Sequence, residues 1–366
     1  MIYEFVGVLI VSFLASYSLV PLMIKLALKI NLVDQPNHRK VHKKVTPLIG
    51  GISIFVGFIL ISSYTIFIFK DYYFDFRTIS YLVSATIIVI LGVIDDKFGM
   101  QPLPKMIGQF FAAALFIYAY NLSHLFGPAY VTIPIILLWI IGLINALNFL
   151  DNMDGIISGM AAIIAIGFYG IVYLLKVGQL HIPAEINNLY NFVSFLSLIF
   201  AGSLAGFLPF NFNPAKTFLG DAGSMFIGYF LATIGLMIGK FSVNQTQSQL
   251  YYLVPVLLLS FAIFDISLVS FTRKRDGRRV SQGGKDHSTH RIHTAMGSSK
   301  LTALIVYVIN VIIILVTFSV FAVRSELLLI ISTIFFALVF LFFGRKLDQV
   351  PIVVTKNQLK VQNNEN

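Results

Sequence analysis

The chain contains no cysteine, which excludes disulfide bridges, thiolate nucleophiles and cysteine-bound zinc. Charge is scarce too: 11% of residues are Asp, Glu, Lys or Arg, against about 25% in an ordinary soluble domain. So few charges cannot cover a water-facing surface, and a soluble globular enzyme is excluded. A cleaved signal peptide is not expected, because no positive stretch precedes Phe5 and the apolar run that follows is too long. No internal repeat is evident, which speaks against the repeated halves common in transporters.

What the chain does have is apolar sequence, 57% of its 366 residues. A helix crossing the hydrocarbon core needs about 20 apolar residues. Candidate runs are 3–30, 48–69, 79–94, 106–120, 131–150, 156–176, 190–208, 222–239, 251–272, 301–323 and 326–344. The runs are continuous rather than alternating, so helices are expected and a barrel is not. The reading is an all-α, polytopic integral membrane protein with about eleven transmembrane helices. Residues 1–346 form one transmembrane catalytic domain, and 347–366 read as a solvated cytoplasmic tail.

The net charge of +10 is not a nucleic-acid signature, because it is distributed by side. With the 31–47 loop in the cytoplasm, 21 basic residues fall on that side; the other holds only Lys70, Arg77, Lys176, Lys240 and Arg324. That bias predicts N-terminus out and C-terminus in. The acids follow the same side: Asp34, Asp95, Asp96, Asp151, Asp154, Asp221, Asp276 and Asp286 all lie in or beside cytoplasmic loops, as do His38, His42, His287, His290 and His293. The chemistry is expected on one face.

In Asn145-Ala-Leu-Asn148-Phe-Leu-Asp151-Asn-Met-Asp154-Gly155, polar residues three apart share a stripe at the end of an apolar helix. Burying them there is unfavourable unless they bind something, the alternative being a helix end that faces water. The neighbours Asp95 and Asp96 repel, which favours a nearby cation or one raised pKa; an ordinary charged loop is the bland alternative. Asp221, in Phe218-Leu-Gly-Asp-Ala-Gly-Ser224, opens a helix where glycines admit a ligand, and equally suits an N-cap. Asp265 lies inside a span, as a functional acid or half of a structural pair. The 273–293 segment is cation-rich and carries His287-x-x-His290, suited to a diphosphate and a metal. No third ligand pattern supports zinc. The first loop, 34–47, offers four cations to an anionic substrate.

These motifs together resemble the polyprenyl-phosphate N-acetylhexosamine-1-phosphate transferase family, over about residues 32–293. The resemblance rests on Asp-x-Pro-Asn-x-Arg-Lys-x-His at 34–42, Asp95-Asp96, Asn-x-x-Asn-x-x-Asp-x-x-Asp-Gly at 145–155, Asn-Phe-Asn-Pro-Ala-Lys at 211–216 and Gly-Asp-Ala-Gly-Ser at 220–224. Such enzymes begin teichoic acid, O-antigen, lipopolysaccharide and related cell-wall glycans. The resemblance implies transfer of N-acetylglucosamine-1-phosphate from UDP-GlcNAc to undecaprenyl or another polyprenyl phosphate, with UMP released at the cytoplasmic face of the cell membrane. It implies Asp95, Asp96 and Asp151 as catalytic acids, the first two handling the lipid phosphate. Asp221 is then the Mg²⁺ ligand, assisted by Asn148, with Mn²⁺ as a substitute ion. Asp151 and Asp154 line the nucleotide site, Phe218 stacks on uracil, and Lys43, His287, His290 and Arg291 hold sugar and phosphates. A homodimer is among the assemblies expected.

Two positions depart from the family pattern. Asn152 stands where some branches have glycine between the paired acids, and His287-Ser288-Thr289-His290 is a split form of a denser histidine cluster. The nearest competing donor is UDP-MurNAc-pentapeptide. A cation-coupled transporter is the alternative of a different class, and a CDP-dependent transferase is disfavoured because Asp154-Gly155 leads into an apolar stretch without arginine.

Overall fold

The computed structural model describes residues 2–35, 45–68, 75–177, 179, 182–280 and 284–351. Lys43, His38, His42 and most of the tail lie outside them. Helices dominate: α1 (Ile2–Lys29), α2 (Gly50–Ile68), α3 (Phe76–Phe98), α4 (Pro102–Ala119), α5 (Ala129–Leu150), α6 (Ile156–Val177), α7 (Ala184–Asn211) and α8 (Gly220–Thr246). They continue with α9 (Leu253–Leu258), α10 (Ser260–Arg275), α11 (Ser288–Met296), α12 (Ser299–Val323) and α13 (Glu326–Asp348). The described strands are the short antiparallel pair β1 (Val33–Asp34) and β2 (Thr46–Pro47).

Ten of the described helices are long and apolar enough to cross a bilayer. The segment 249–275 makes eleven if its two arms count as one span, although they meet at 71°. Ladders closed within each segment are what a membrane interior requires. Serines and threonines inside the spans return their hydroxyls to the preceding turn, as Ser197 does to Val193 O and Thr233 to Tyr229 O. Starts are marked by side-chain caps: Asp75 accepts from Thr78 N, Ser298 from Leu301 N and Ser325 from Leu328 N.

The hub is α8, whose most apolar stretch is wholly buried. Around it stand α2, α3, α5 and α6, with α7 behind. Phe230 of α8 stacks on Phe200 of α7 with ring centroids 3.8 Å apart, and Phe58 of α2 meets Phe226 edge-on at 5.3 Å. The lone tryptophan, Trp139 of α5, donates to Ala232 O of the hub at 2.9 Å. Outer faces of α12 and α13 keep Leu304, Leu315, Leu338 and Phe342 exposed, as a lipid-facing surface requires. The helix α13 runs to Asp348, so the first residues assigned to the tail belong to the packed bundle.

Candidate active site

The acids meet at one end of the bundle, where α3 and α5 finish and α4, α6 and α8 begin. Asp96 does not stand free beside Asp95. Its two oxygens accept from the amides of Asp221, at 2.8 Å, and Ala222, at 3.1 Å. It thus caps the hub helix from outside, the task that Asp221 was equally suited to by type. Gly220 makes this approach workable: its φ is +73°, and a Cβ there would lie 2.7 Å from Asp96 Oδ2.

Released from capping, Asp221 turns into the site. Its Oδ1 accepts from Asn148 Nδ2 at 2.8 Å, and its Oδ2 from Lys105 Nζ at 3.0 Å. Lys105 also donates to Asp95 Oδ2 at 2.6 Å and faces Asn148 Oδ1 at 3.4 Å. Asp95 accepts the Met100 amide at 2.6 Å on its other oxygen, so the adjacent acids hold different structures. Asn148 completes the junction by donating to Ser224 Oγ at 2.8 Å. One turn deeper, Asn145 donates to Gln109 Oε1 at 2.8 Å, so both asparagines of the stripe are engaged.

Helix α5 stops at Leu150, leaving Asp151 at its C-cap and Asp154 in the following turn, which Gly155 closes with φ +75°. Burial, then the charges of Asp221, Asp96 and Asp154, push the Asp151 carboxyl well above the usual carboxylate range. Asp154 accepts from Asn213 Nδ2 at 2.9 Å and from the Ala215 amide at 3.1 Å. The Asn-Phe-Asn-Pro segment is thereby tied to the acidic turn, and buried Asn211 reinforces it by accepting from Gly155 N and Ser158 Oγ. Phe218 is half-buried, and its backbone joins Pro47 and Gly50.

The histidines arrive on a separate segment. Asp265 is fully buried; its Oδ2 lies 2.8 Å from His287 Nδ1, and its Oδ1 accepts from Ser288 N and Oγ. A nitrogen facing a carboxylate carries the proton, so Nε2 is the atom left for a ligand. Asp265 is therefore half of a buried pair, and its partner is one of the candidate site's histidines. Burial, then the charges of His287 and Lys285, push His290 down to about 4, so its imidazole is neutral in the unliganded site. Arg291 turns away. It is buried and donates to Asp286 O, Leu347 O and Asp348 Oδ1, fixing α11 against the end of α13. Asp286 accepts from Arg273 on both oxygens and from Arg278. Burial alone would raise its pKa, but Arg273 and then Arg278 hold it at about 2.

Lys105 is the residue that sequence reasoning passed over, having counted only as a loop charge. Its signal was an isolated lysine shortly after an acidic pair, in the first turn of an apolar helix. Among the described residues, no three His, Asp or Glu side chains form a ready metal cage. Mg²⁺ does not need one, since it binds through one or two carboxylates together with water and substrate phosphate. The Lys105 ammonium already rests among Asp95, Asp221 and Asn148 oxygens, a hard-oxygen set that suits such an ion.

The profile of glycosyl transferase family 4 matches residues 78–239, which contain these acids. Over 313 residues the chain is 31% identical to a probable undecaprenyl-phosphate N-acetylglucosaminyl 1-phosphate transferase of Bacillus subtilis, covering 82% of this chain and 80% of that one. It is also 31% identical, over 303 residues, to a decaprenyl-phosphate N-acetylglucosaminephosphotransferase of Mycobacterium tuberculosis, covering 77% and 74%. A phospho-N-acetylmuramoyl-pentapeptide-transferase of Enterococcus faecalis is 31% identical over 295 residues, covering 71% and 86%.

Proposed function

This chain belongs to glycosyl transferase family 4, and from that premise we propose that it transfers N-acetylglucosamine-1-phosphate from UDP-GlcNAc to a polyprenyl phosphate. UMP is released, in the first membrane step of cell-envelope glycan synthesis. The observation that carries the reading is the junction of Asp95, Asp221, Asn148 and Lys105, set at one end of a lipid-facing bundle. The skewed distribution of basic residues supports a cytoplasmic position for that end, with the N-terminus out and C-terminus in.

A lipid phosphate oxygen attacks the sugar-bearing phosphorus, the bond to the bridging oxygen breaks, and UMP departs with that oxygen. One pyrophosphate is exchanged for another, so the step is near balance and needs no ATP. A phosphomonoester has a second pKa of about 6, so the nucleophile is already largely dianionic at neutral pH. Catalysis then rests on positioning and charge neutralisation. Asp95 holds the Lys105 ammonium, through which it orients the attacking phosphate, and Lys105 neutralises phosphoryl oxygens. Asp221 and Asn148 would hold Mg²⁺, which supplies further neutralisation of phosphoryl charge when bound. Asp151 and Asp154 line the nucleotide side, and His287 presents Nε2 as an acceptor to a hydroxyl or the amide N–H of the donor's sugar.

The test is UMP release by the purified protein in detergent with undecaprenyl phosphate, UDP-GlcNAc and Mg²⁺. Asp221→Asn, EDTA and UDP-MurNAc-pentapeptide form parallel arms. Release from UDP-GlcNAc, lost in the variant and with EDTA, is expected. Release from the pentapeptide donor alone moves the protein to the peptidoglycan branch. No release from either donor overturns the reading.

A further inference from the structure

The two departures from the family pattern are in contact: Thr289, inside the split histidine stretch, is bonded to Asn152. Thr289 Oγ1 donates to Asn152 Oδ1 at 2.7 Å, across 137 residues of sequence. Thr289 is fully buried. Asn152 donates in turn to Phe149 O at 3.3 Å, so its amide is held from both sides and its oxygen is aimed at the hydroxyl. Asn152 sits between Asp151 and Asp154, and Thr289 between His287 and His290. A side-chain hydrogen bond therefore joins the acidic turn after α5 to the first turn of the histidine helix α11.

The rest of α11 is fastened elsewhere. Asp265 of α10 holds His287 and Ser288, and Arg291 reaches the end of α13. Those anchors fix the helix to its own side of the site, and the helix that follows it, α12, meets the acidic turn one residue past Asp154, where the Tyr307 hydroxyl donates to Gly155 O. Within α11 itself, Thr289 makes the side-chain bond to the acidic turn. We propose that Asn152 and Thr289 form a latch that sets the spacing between acidic turn and histidine helix, and so positions the UDP-sugar donor. The inference rests on the donor reading above. Neither residue needs to touch the reacting atoms; both are positioning residues. A glycine at 152 offers no acceptor to a threonine, and an imidazole at 289 would meet the Asn152 side chain in a space now filled by a hydroxyl and a methyl group.

The experiment is a double-mutant cycle on purified protein, with wild-type UMP release established first so that failure of the donor reading is seen separately. Thr289→Val keeps the shape and removes the donor. It is expected to raise KM for UDP-GlcNAc about fivefold, the size of one ordinary hydrogen bond, with KM for the lipid phosphate unchanged. Thr289→Ser restores the hydroxyl and should restore KM. Asn152→Gly should match Thr289→Val, and the two combined should be no worse than either alone. The paired change Asn152→Gly with Thr289→His should retain more activity than the product of its single changes. Additive effects in an active enzyme overturn the latch. So does failure of serine to rescue, or an equal rise in both KM values. Thermal melts of each variant in detergent identify any variant that has merely unfolded.

Discussion

Asp265→Asn separates the two halves of the histidine anchor. In the wild type, one carboxylate oxygen accepts from Ser288 N at 2.8 Å and Ser288 Oγ at 2.6 Å, while the other lies 2.8 Å from His287 Nδ1. Asparagine has the same size and keeps an oxygen, so both Ser288 bonds survive. Its other terminal atom is an N–H, which now meets the N–H of the imidazole. The ring must move its proton to Nε2 or turn, and either change withdraws the acceptor presented to the donor. A hydrogen bond to a charged group contributes about 1.5–3 kcal/mol. Carboxylates that orient functional histidines from behind, as in metal sites, change activity about 10–100-fold when removed. We expect kcat/KM for UMP release to fall by that factor, with only a small drop in melting temperature because two of three bonds remain. Asp265→Ala has the opposite balance: it strips every bond from a buried pair, a loss of about 3–5 kcal/mol, and should cost the fold. Nitrogen-15 spectra of histidine-labelled protein report the tautomer directly. Turnover within about twofold of wild type for the asparagine variant, where His287→Ala is inactive, would refute the reasoning.

Lys105→Met removes the ammonium shared by Asp95 and Asp221; UMP release should fall by at least about 100-fold, while added Mg²⁺ raises the variant's melting temperature more than it does the wild type's. Gly220→Ala sets a Cβ against Asp96 at positive φ, a strain of about 1–3 kcal/mol, and should lower both melting temperature and activity. His290 titrates near 4 when folded and near about 6.5 unfolded, so the folded chain binds fewer protons between those values. Stability is therefore full above the unfolded value and declines as pH falls toward 4; His290→Gln should flatten that part of a melting-temperature profile. Burial and then the charges of Asp221, Asp96 and Asp154 push the Asp151 carboxyl up and a bound cation would pull it down again, so Mg²⁺ affinity should rise with pH less steeply in Asp151→Asn than in the wild type, as read from Mg²⁺-induced shifts in melting temperature.

The architecture was legible because hydrocarbon imposes simple demands. Continuous apolar runs can satisfy their backbones only as helices, and the eleven candidate runs map onto the ten straight helices and the bent pair. The bend at Leu259 was not read from the sequence, because no charge or glycine interrupts the run from Tyr251 to Phe264. Membership of the site was legible for the acids, which gather at one end because polar groups in a span need partners. Their division of labour was not. Adjacent residues on a helix point about 100° apart, so Asp95 and Asp96 face different neighbours, one Lys105 and the other the hub helix. Arg291 shows the same limit from the other direction. Its place beside His290 suggested phosphate, but the C-terminal carbonyls of α13 lie within its reach and take its donors. Only tertiary contact decides between such partners.

The same contacts leave an electrostatic imbalance that bears on the reaction. Asp95, Asp96, Asp151, Asp154 and Asp221 converge, and Lys105 is the cation bonded among them. A site of that sign repels phosphate, yet the proposed substrates are a phosphomonoester and a diphosphate ester. Neutralisation must come from groups that join when substrate does. His290, neutral by virtue of burial and cationic neighbours, is one: a nearby diphosphate would favour its protonated form. A divalent cation is the other, and the raised Asp151 carboxyl supports that reading, since a proton there does what a bound cation would do better. The acids then need not touch phosphate at all. They hold the positive charges that do, as Asp95 and Asp221 already hold Lys105, which accounts for carboxylates forming the centre of a phosphoryl-transfer site.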